Sequence, residues 1–241
     1  MASLCSGIVK LTGCKCVCKS LTGSRYCGRH GKPIVKQVHK NLDFDRCEAE
    51  IHRHIPSVSH DIQGVYDAVN ILHLVMTECN TPKPRLDPFH RSCKWGMSDE
   101  EYREHMNVIS RSRSESMAIG VFHETMFGIA KGYMKLKPGH ETGLDIMSVD
   151  GTEAMELKNA THTMNSSSAS SVANKLRAWA SRGMKAILVQ INCKDNKVVR
   201  PKNMGADIET WSGRDAYARI MGCDTFYDDL QVFLRVMISG R

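Results

Sequence analysis

The 241-residue chain lacks any apolar run approaching the ~18–20 residues that a membrane-crossing helix needs. That absence excludes a helical membrane protein. The opening residues, Met1-Ala2-Ser3-Leu4-Cys5-Ser6-Gly7, lack the apolar core of a secretory signal. A reducing, cytoplasmic setting is therefore expected. The chain also lacks any Asp or Glu before Asp43, while residues 1–42 carry eight Lys or Arg. Beyond them 25 basic side chains meet 26 acidic ones, so the whole excess behind the net charge of +7 sits in an N-terminal arm. Such an asymmetry suits a polyanion, most often nucleic acid, although a solvated basic tail has the same composition. Acids are missing again from Leu157 to Lys194, an interval with six Lys or Arg.

What is present reads as a globular protein, with 41% hydrophobic and 24% charged residues. Ten cysteines are many for a chain without a secretory signal, and they favour metal binding over disulfides. Cys5, Cys16, Cys27 and His30 supply ligand types for one tetrahedral Zn²⁺, with Cys27-Gly28-Arg29-His30 as a C-x-x-H knuckle. Cys14 and Cys18 compete with Cys16 for the second position. A 36-residue arm cannot fold on apolar burial alone, so residues 1–36 are expected to form a small zinc-binding arm stabilised by the ion. A scattered set, His52, His54, His60, Cys79, His90 and Cys93, reads more simply as core or surface side chains.

Residues 41–241 form the second unit, with a helical part over 41–110 and a core over 111–241. Asn41 to Leu74 is helical by pattern, interrupted near Pro56, and Ser98-Asp99-Glu100-Glu101 marks a helix start. A further helix is expected over about 112–132. Leu144–Val149 and Thr152–Lys158 read as two strands joined by a tight Asp150-Gly151 turn. Ser168–Arg182 reads as a helix, Lys185–Ile191 as a buried strand, and Tyr217–Val236 as mainly helical. The fold class is α/β: a mixed sheet flanked by helices.

The hairpin carries the chemistry. A two-residue turn pairs Val149 with Thr152 and, four rungs further out, faces Asp145 with Glu156; Lys158 shares the face of Glu156. Opposed carboxylates destabilise a ladder unless something offsets their repulsion, and a divalent cation assisted by Lys158 would do so. Two carboxylates with room for water and phosphate suit Mg²⁺. Such an ion polarises a phosphodiester, while a nearby ammonium orients the attacking water or stabilises charge at phosphorus.

Gly143-Leu144-Asp145 with Glu156-Leu157-Lys158 resembles the active-site motif of the PD-(D/E)xK nuclease superfamily, with Leu144 where a Pro is usual. The run Lys158-Asn159-Ala160-Thr161-His162-Thr163-Met164-Asn165-Ser166-Ser167 is similar to a narrower group of type II restriction endonucleases with K-N-x-x-x-T-M-N-S-S after the catalytic lysine. The likeness spans about residues 115–235. It implies a restriction-endonuclease-like fold and Mg²⁺-dependent cleavage of double-stranded DNA to 5′-phosphate and 3′-hydroxyl ends, at a short G/C-flanked palindrome. It also implies Asp145 and Glu156 as metal ligands, Lys158 as base or electrostatic stabiliser, and Glu124 on the preceding helix as a further acid beside the metal. Asn159, Thr161, His162, Thr163, Asn165, Ser166 and Ser167 are candidate DNA contacts, with helix capping the alternative for the serines. Lys175 is either a phosphate contact or a solvated charge. The arm's Gly23-Ser24-Arg25-Tyr26-Cys27-Gly28-Arg29-His30 resembles short zinc modules of large DNA viruses and related mobile elements.

A palindrome reader with one such site per chain is expected to act as a homodimer. A nuclease for branched DNA or RNA would ignore sequence on plain duplex. A non-catalytic zinc DNA-binding protein would bind DNA without Mg²⁺-dependent cutting.

Overall fold

The computed structural model describes residues 41–77, 88–94, 96–160 and 166–239. The expected zinc ligands Cys5, Cys16, Cys27 and His30 lie outside them, with Cys14, Cys18 and Cys79. So do Thr161, His162, Thr163 and Asn165 of the candidate DNA loop.

Helix α1 (Phe44–His54) starts where the Asp43 carboxylate accepts the Arg46 N–H, and it buries Cys47 and Ile51. Pro56 interrupts it, as the sequence predicts, and opens a six-residue 3₁₀ helix (Pro56–Asp61) before α2 (Ile62–Thr77). The short α3 (Pro88–Cys93) precedes α4 (Asp99–Gly128). Ser98 and Glu101 close a reciprocal capping box at the start of α4: the Glu101 N–H donates to Ser98 Oγ (3.2 Å) and the Ser98 N–H to Glu101 Oε2 (2.6 Å). No Gly or Pro falls between that cap and Arg113, so α4 runs for 30 residues where two separate stretches were expected. It also runs unbroken across residue 110, joining the expected helical part to the core. Its buried face is Tyr102, Ala118, Phe122, Met126 and Phe127, whereas Met117 and Val121 are exposed.

Five strands follow: β1 (Tyr133–Lys135), β2 (Ile146–Ser148), β3 (Glu153–Ala160), β4 (Lys185–Asn192) and β5 (Ile208–Ser212). They form one sheet in the order β1-β2-β3-β4-β5, antiparallel across β1, β2 and β3 and parallel across β3, β4 and β5. The mixed sheet agrees with the expectation, but its two edge strands were not anticipated. Three residues of β1 are too few to show a period, and β5 mixes Glu209 and Thr210 with Ile208 and Trp211. Helix α5 (Ser166–Ala180) links β3 to the parallel β4, and α6 (Gly213–Met221) and α7 (Phe226–Ser239) end the chain. The single terminal helix expected is thus two, broken at Gly222.

Strand alternation divides the core into two layers. Met155, Leu157, Ile187, Val189 and Trp211 pack with residues of α1, α2, α4, α6 and α7. On the other face Ala154, Ala186, Leu188 and Ile208 pack under Val172, Ala173 and Leu176 of α5. Each fully buried Leu, Ile or Phe contributes roughly 1.5–3 kcal/mol. One buried residue of β4 is polar. Gln190 has no exposed surface, and its amide grips the Val199 backbone in both directions: Nε2–H donates to the Val199 carbonyl (2.8 Å) and Oε1 accepts the Val199 N–H (2.9 Å). This fastens the 193–207 segment to the sheet. No described helix is long and apolar enough to cross a membrane.

The junction of β5 with α6 leaves no room for a side chain. A Cβ on Gly213 would stand 2.3 Å from the Ile191 carbonyl oxygen and 2.7 Å from the Ile191 Cα. Both are backbone atoms of β4, an interior strand that cannot swing aside. Gly213→Ala is therefore expected to destabilise the protein by about 2–3 kcal/mol, as overpacking against backbone does. Urea unfolding followed by far-UV circular dichroism checks this, and an unchanged midpoint would show that the junction yields.

Candidate active site

The hairpin of β2 and β3 has the expected register: Ile146 pairs with Met155 and Met147 with Ala154. The paired ladder ends at Ile146 and Met155, and Asp145, one residue further out, lies near enough to Glu156 for the two charges to act on each other. The turn itself differs. Val149 does not pair with Thr152; its N–H donates to the Gly132 carbonyl (2.8 Å). Ser148 Oγ accepts the N–H groups of Thr152 (3.0 Å) and Glu153 (2.8 Å), so residues 149–152 form a wider loop with the same pairing sum. Asp150 closes it by accepting the Thr152 hydroxyl (2.7 Å).

Asp145 is held by the partner strand twice. Its N–H donates to the Met155 carbonyl (3.1 Å), and its Oδ2 accepts the Leu157 N–H (2.8 Å). Glu156 is only 4% exposed. Its Oε1 accepts a hydrogen bond from Lys158 Nζ at 2.6 Å and lies 3.9 Å from Lys175 Nζ. Lys158 also donates to the Leu157 carbonyl (3.1 Å). Buried Glu156 Oε2 has no hydrogen-bond partner. Burial, with the Asp145 charge second, pushes the Glu156 carboxyl above its usual range, and Lys158 and Lys175 oppose that rise.

Asp145, Glu156 and Lys158 thus come together on one face, with Lys175 arriving from α5. An orphaned carboxylate oxygen in a pair of neighbouring acids is a donor set that suits a hard divalent cation completing its sphere with water and phosphate. Among the described residues no group of three His, Cys, Asp or Glu side chains gathers in metal-holding geometry. Glu124 does not join the pair. Its Oε2 lies 3.2 Å from Lys135 Nζ, and Lys135 pairs across strands with Ile146, which faces the layer of α4. His123 shares a 2.8 Å hydrogen bond with the buried Tyr217 hydroxyl, and burial takes its imidazole down to about 4. It is a neutral scaffold group.

Asn159, next to the last residue of β3, accepts at its Oδ1 from Asn192 Nδ2 (2.7 Å), and Asn192 Oδ1 in turn accepts from the Tyr227 hydroxyl (3.2 Å). Ser166 and Ser167 open α5, and Ser167 is exposed. Of the scattered His/Cys set, His54 pairs with Glu50 (3.2 Å), His60 Nε2 meets the Ile129 carbonyl (2.9 Å) and His90 meets the Tyr102 hydroxyl (3.0 Å). Cys93 is exposed and not in a disulfide. The contribution of Lys175 to the acid pair has no local sequence signal. It comes from another element, seventeen residues beyond Lys158, and only the packing of α5 reveals it.

The model of the Eco47II restriction endonuclease family matches residues 60–231, well over half of the chain. That span holds Asp145, Glu156, Lys158 and Lys175. No curated protein matches the chain.

The raised Glu156 carboxyl sets a pH-dependent stability. Between the ordinary carboxylate range and the raised value the folded chain holds a proton that the unfolded chain has lost. The group's contribution is therefore most favourable at acid pH and falls as pH rises through the unfolded value. Lys158 and Lys175 reach solvent, so losing their partner costs little, whereas the carboxylate cannot reach it. Glu156→Gln is expected to raise Tm at pH 8, by roughly 2–4 °C for each kcal/mol relieved. The gain should shrink toward pH 4. Calorimetry across that range checks it, and a lower Tm at pH 8 would contradict it.

Proposed function

The chain belongs to the Eco47II restriction endonuclease family, and on that premise we propose that it cleaves double-stranded DNA at a short G/C-flanked palindrome through Asp145, Glu156 and Lys158. The observation that carries this reading is the gathering of Asp145, Glu156 and Lys158, with Asp145 Oδ2 held by the Leu157 N–H and Lys158 Nζ 2.6 Å from Glu156 Oε1. The motif is that of the PD-(D/E)xK superfamily.

The two carboxylates would hold Mg²⁺. When bound, the ion lowers the pKa of a water and stabilises the leaving oxygen. The remaining roles fall to the chain. Asp145 is fixed by the Leu157 N–H, so its free oxygen has one orientation. Burial of Glu156 keeps competing water from its carboxylate. Lys158 turns its ammonium from Glu156 to the attacking water and the non-bridging phosphate oxygens, where it orients the nucleophile and offsets developing charge. Water attacks phosphorus and the P–O3′ bond breaks. The products carry a 5′-phosphate and a 3′-hydroxyl.

Asn159, Thr161, His162, Thr163, Asn165, Ser166 and Ser167 follow Lys158 in the sequence and would contact the duplex. Double-strand cleavage with one site per chain calls for a homodimer. The basic arm, residues 1–36, adds affinity for DNA and holds one Zn²⁺ through Cys5, Cys16, Cys27 and His30. Its support is the ligand spacing and the lack of acids. Metal analysis of the purified chain is expected to return about one zinc per chain.

Purified protein incubated with plasmid and Mg²⁺ is expected to give discrete fragments sharing one terminal sequence. Asp145→Asn, Glu156→Gln and Lys158→Ala should each lower the cleavage rate by at least about 100-fold, on the scale of losing one transition-state contact. Binding to the same DNA without divalent cation should persist. Intact plasmid under all divalent conditions, or near-normal cutting by any of the three variants, would overturn the corresponding assignment.

A further inference from the structure

Lys175 occupies the middle of α5, on the same side of the sheet as Glu156, and its side chain bends inward. Its ammonium donates to the Gly143 carbonyl at 2.9 Å and stands 3.9 Å from Glu156 Oε1. One helical turn later Trp179 Nε1 donates to the Thr142 carbonyl (3.3 Å). Two α5 side chains at i and i+4 therefore pin two consecutive carbonyls of the segment that delivers Asp145. Gly143 adopts a left-handed conformation, φ 66°, and a Cβ there would already touch the Lys175 stem at 3.4 Å. The close approach of helix and loop is built around that lysine.

The charge has a second use. Lys158 is the nearest cation to Glu156 and also the group proposed to serve water and phosphate. If Lys158 turns away, Lys175 is the cationic side chain that remains beside the nearly buried carboxylate, tethered by the Gly143 carbonyl whether or not a metal ion is bound.

We propose that Lys175 is a positioning residue of the active centre, which fixes the Asp145-bearing loop and stands as the constant counter-charge of Glu156 instead of contacting DNA phosphate. This rests on the nuclease reading above. A phosphate contact would require the ammonium to leave the carbonyl and the carboxylate it already serves.

The test uses the full chain as wild type, Lys175→Met, which keeps the apolar stem and deletes the ammonium, and Lys175→Arg, which keeps charge and donors. Three readouts separate the roles. Single-turnover cleavage at saturating duplex is expected to fall roughly 10–100-fold in Lys175→Met, the scale of a slightly misplaced catalytic group, and to recover substantially in Lys175→Arg. Duplex affinity without divalent cation should stay within about twofold, with the same slope of log K against log salt, because no phosphate contact is lost. Amide exchange over residues 142–145 should accelerate in Lys175→Met alone. A salt slope shallower by about one with an unchanged saturating rate would make Lys175 a phosphate contact and overturn the proposal. Unchanged rate, slope and exchange would overturn it too. If the wild type cuts no DNA, the nuclease reading falls, and the exchange measurement alone then decides whether Lys175 holds the loop.

Discussion

Two like charges lie close together at the open end of a β-hairpin, and that repulsion organises the structure around them. Asp145 and Glu156 are brought together by strand pairing that hydrophobic alternation enforces, since Ile146 and Met155 must face one layer while Met147 and Ala154 face the other. The acids cannot separate without turning the whole hairpin over. Their repulsion is met by local means: a backbone N–H on Asp145, Lys158 on Glu156, and Lys175 behind both. One oxygen of Glu156 remains without any partner. In the function proposed above, the cation would give that oxygen its partner.

The rest of the molecule serves to hold that hairpin still. The parallel pairing of β3 with β4 is the longest in the sheet, and β4 is buried along most of its length. Helix α5 covers the face that bears Glu156, and α4 with the terminal helices covers the other. The two layers have different duties. The α4 side supplies bulk, including the enclosed pair His123 and Tyr217. The α5 side supplies reach, because Lys175 and Trp179 extend from it to the loop ahead of Asp145. The match to a restriction endonuclease family covers this whole platform of sheet and flanking helices from α2 into α7.

Much of the hairpin was legible in the residues themselves. Period-two alternation and the Asp150-Gly151 pair set the strands, and the pairing sum followed by counting. The turn misled only in its detail, because the Ser148 hydroxyl captures amides that a ladder would otherwise use. Helix caps and the Pro56 break were equally readable, being local chemistry. The edge strands were not: β1 is too short to show a period, and β5 draws its identity from β4 beside it. Glu124 shows the same limit at the site. Its place in the chain suggested proximity to the acids, but which face of the sheet a helix covers is a tertiary fact. Lys175 is the converse case, a residue whose partners are assembled only by packing.

The Gln190 clamp has a consequence for how this protein can drift. The amide reads only the N–H and carbonyl of Val199, both of which every residue but proline possesses. The Val199 side chain points to solvent, 59% exposed, and takes no part. The anchor at position 199 is therefore blind to the side chain it holds, unlike the buried Met204 further along the segment. Any residue but proline can be tried at that position while the strand beneath stays clamped, which leaves it as a spot where novelty is cheap.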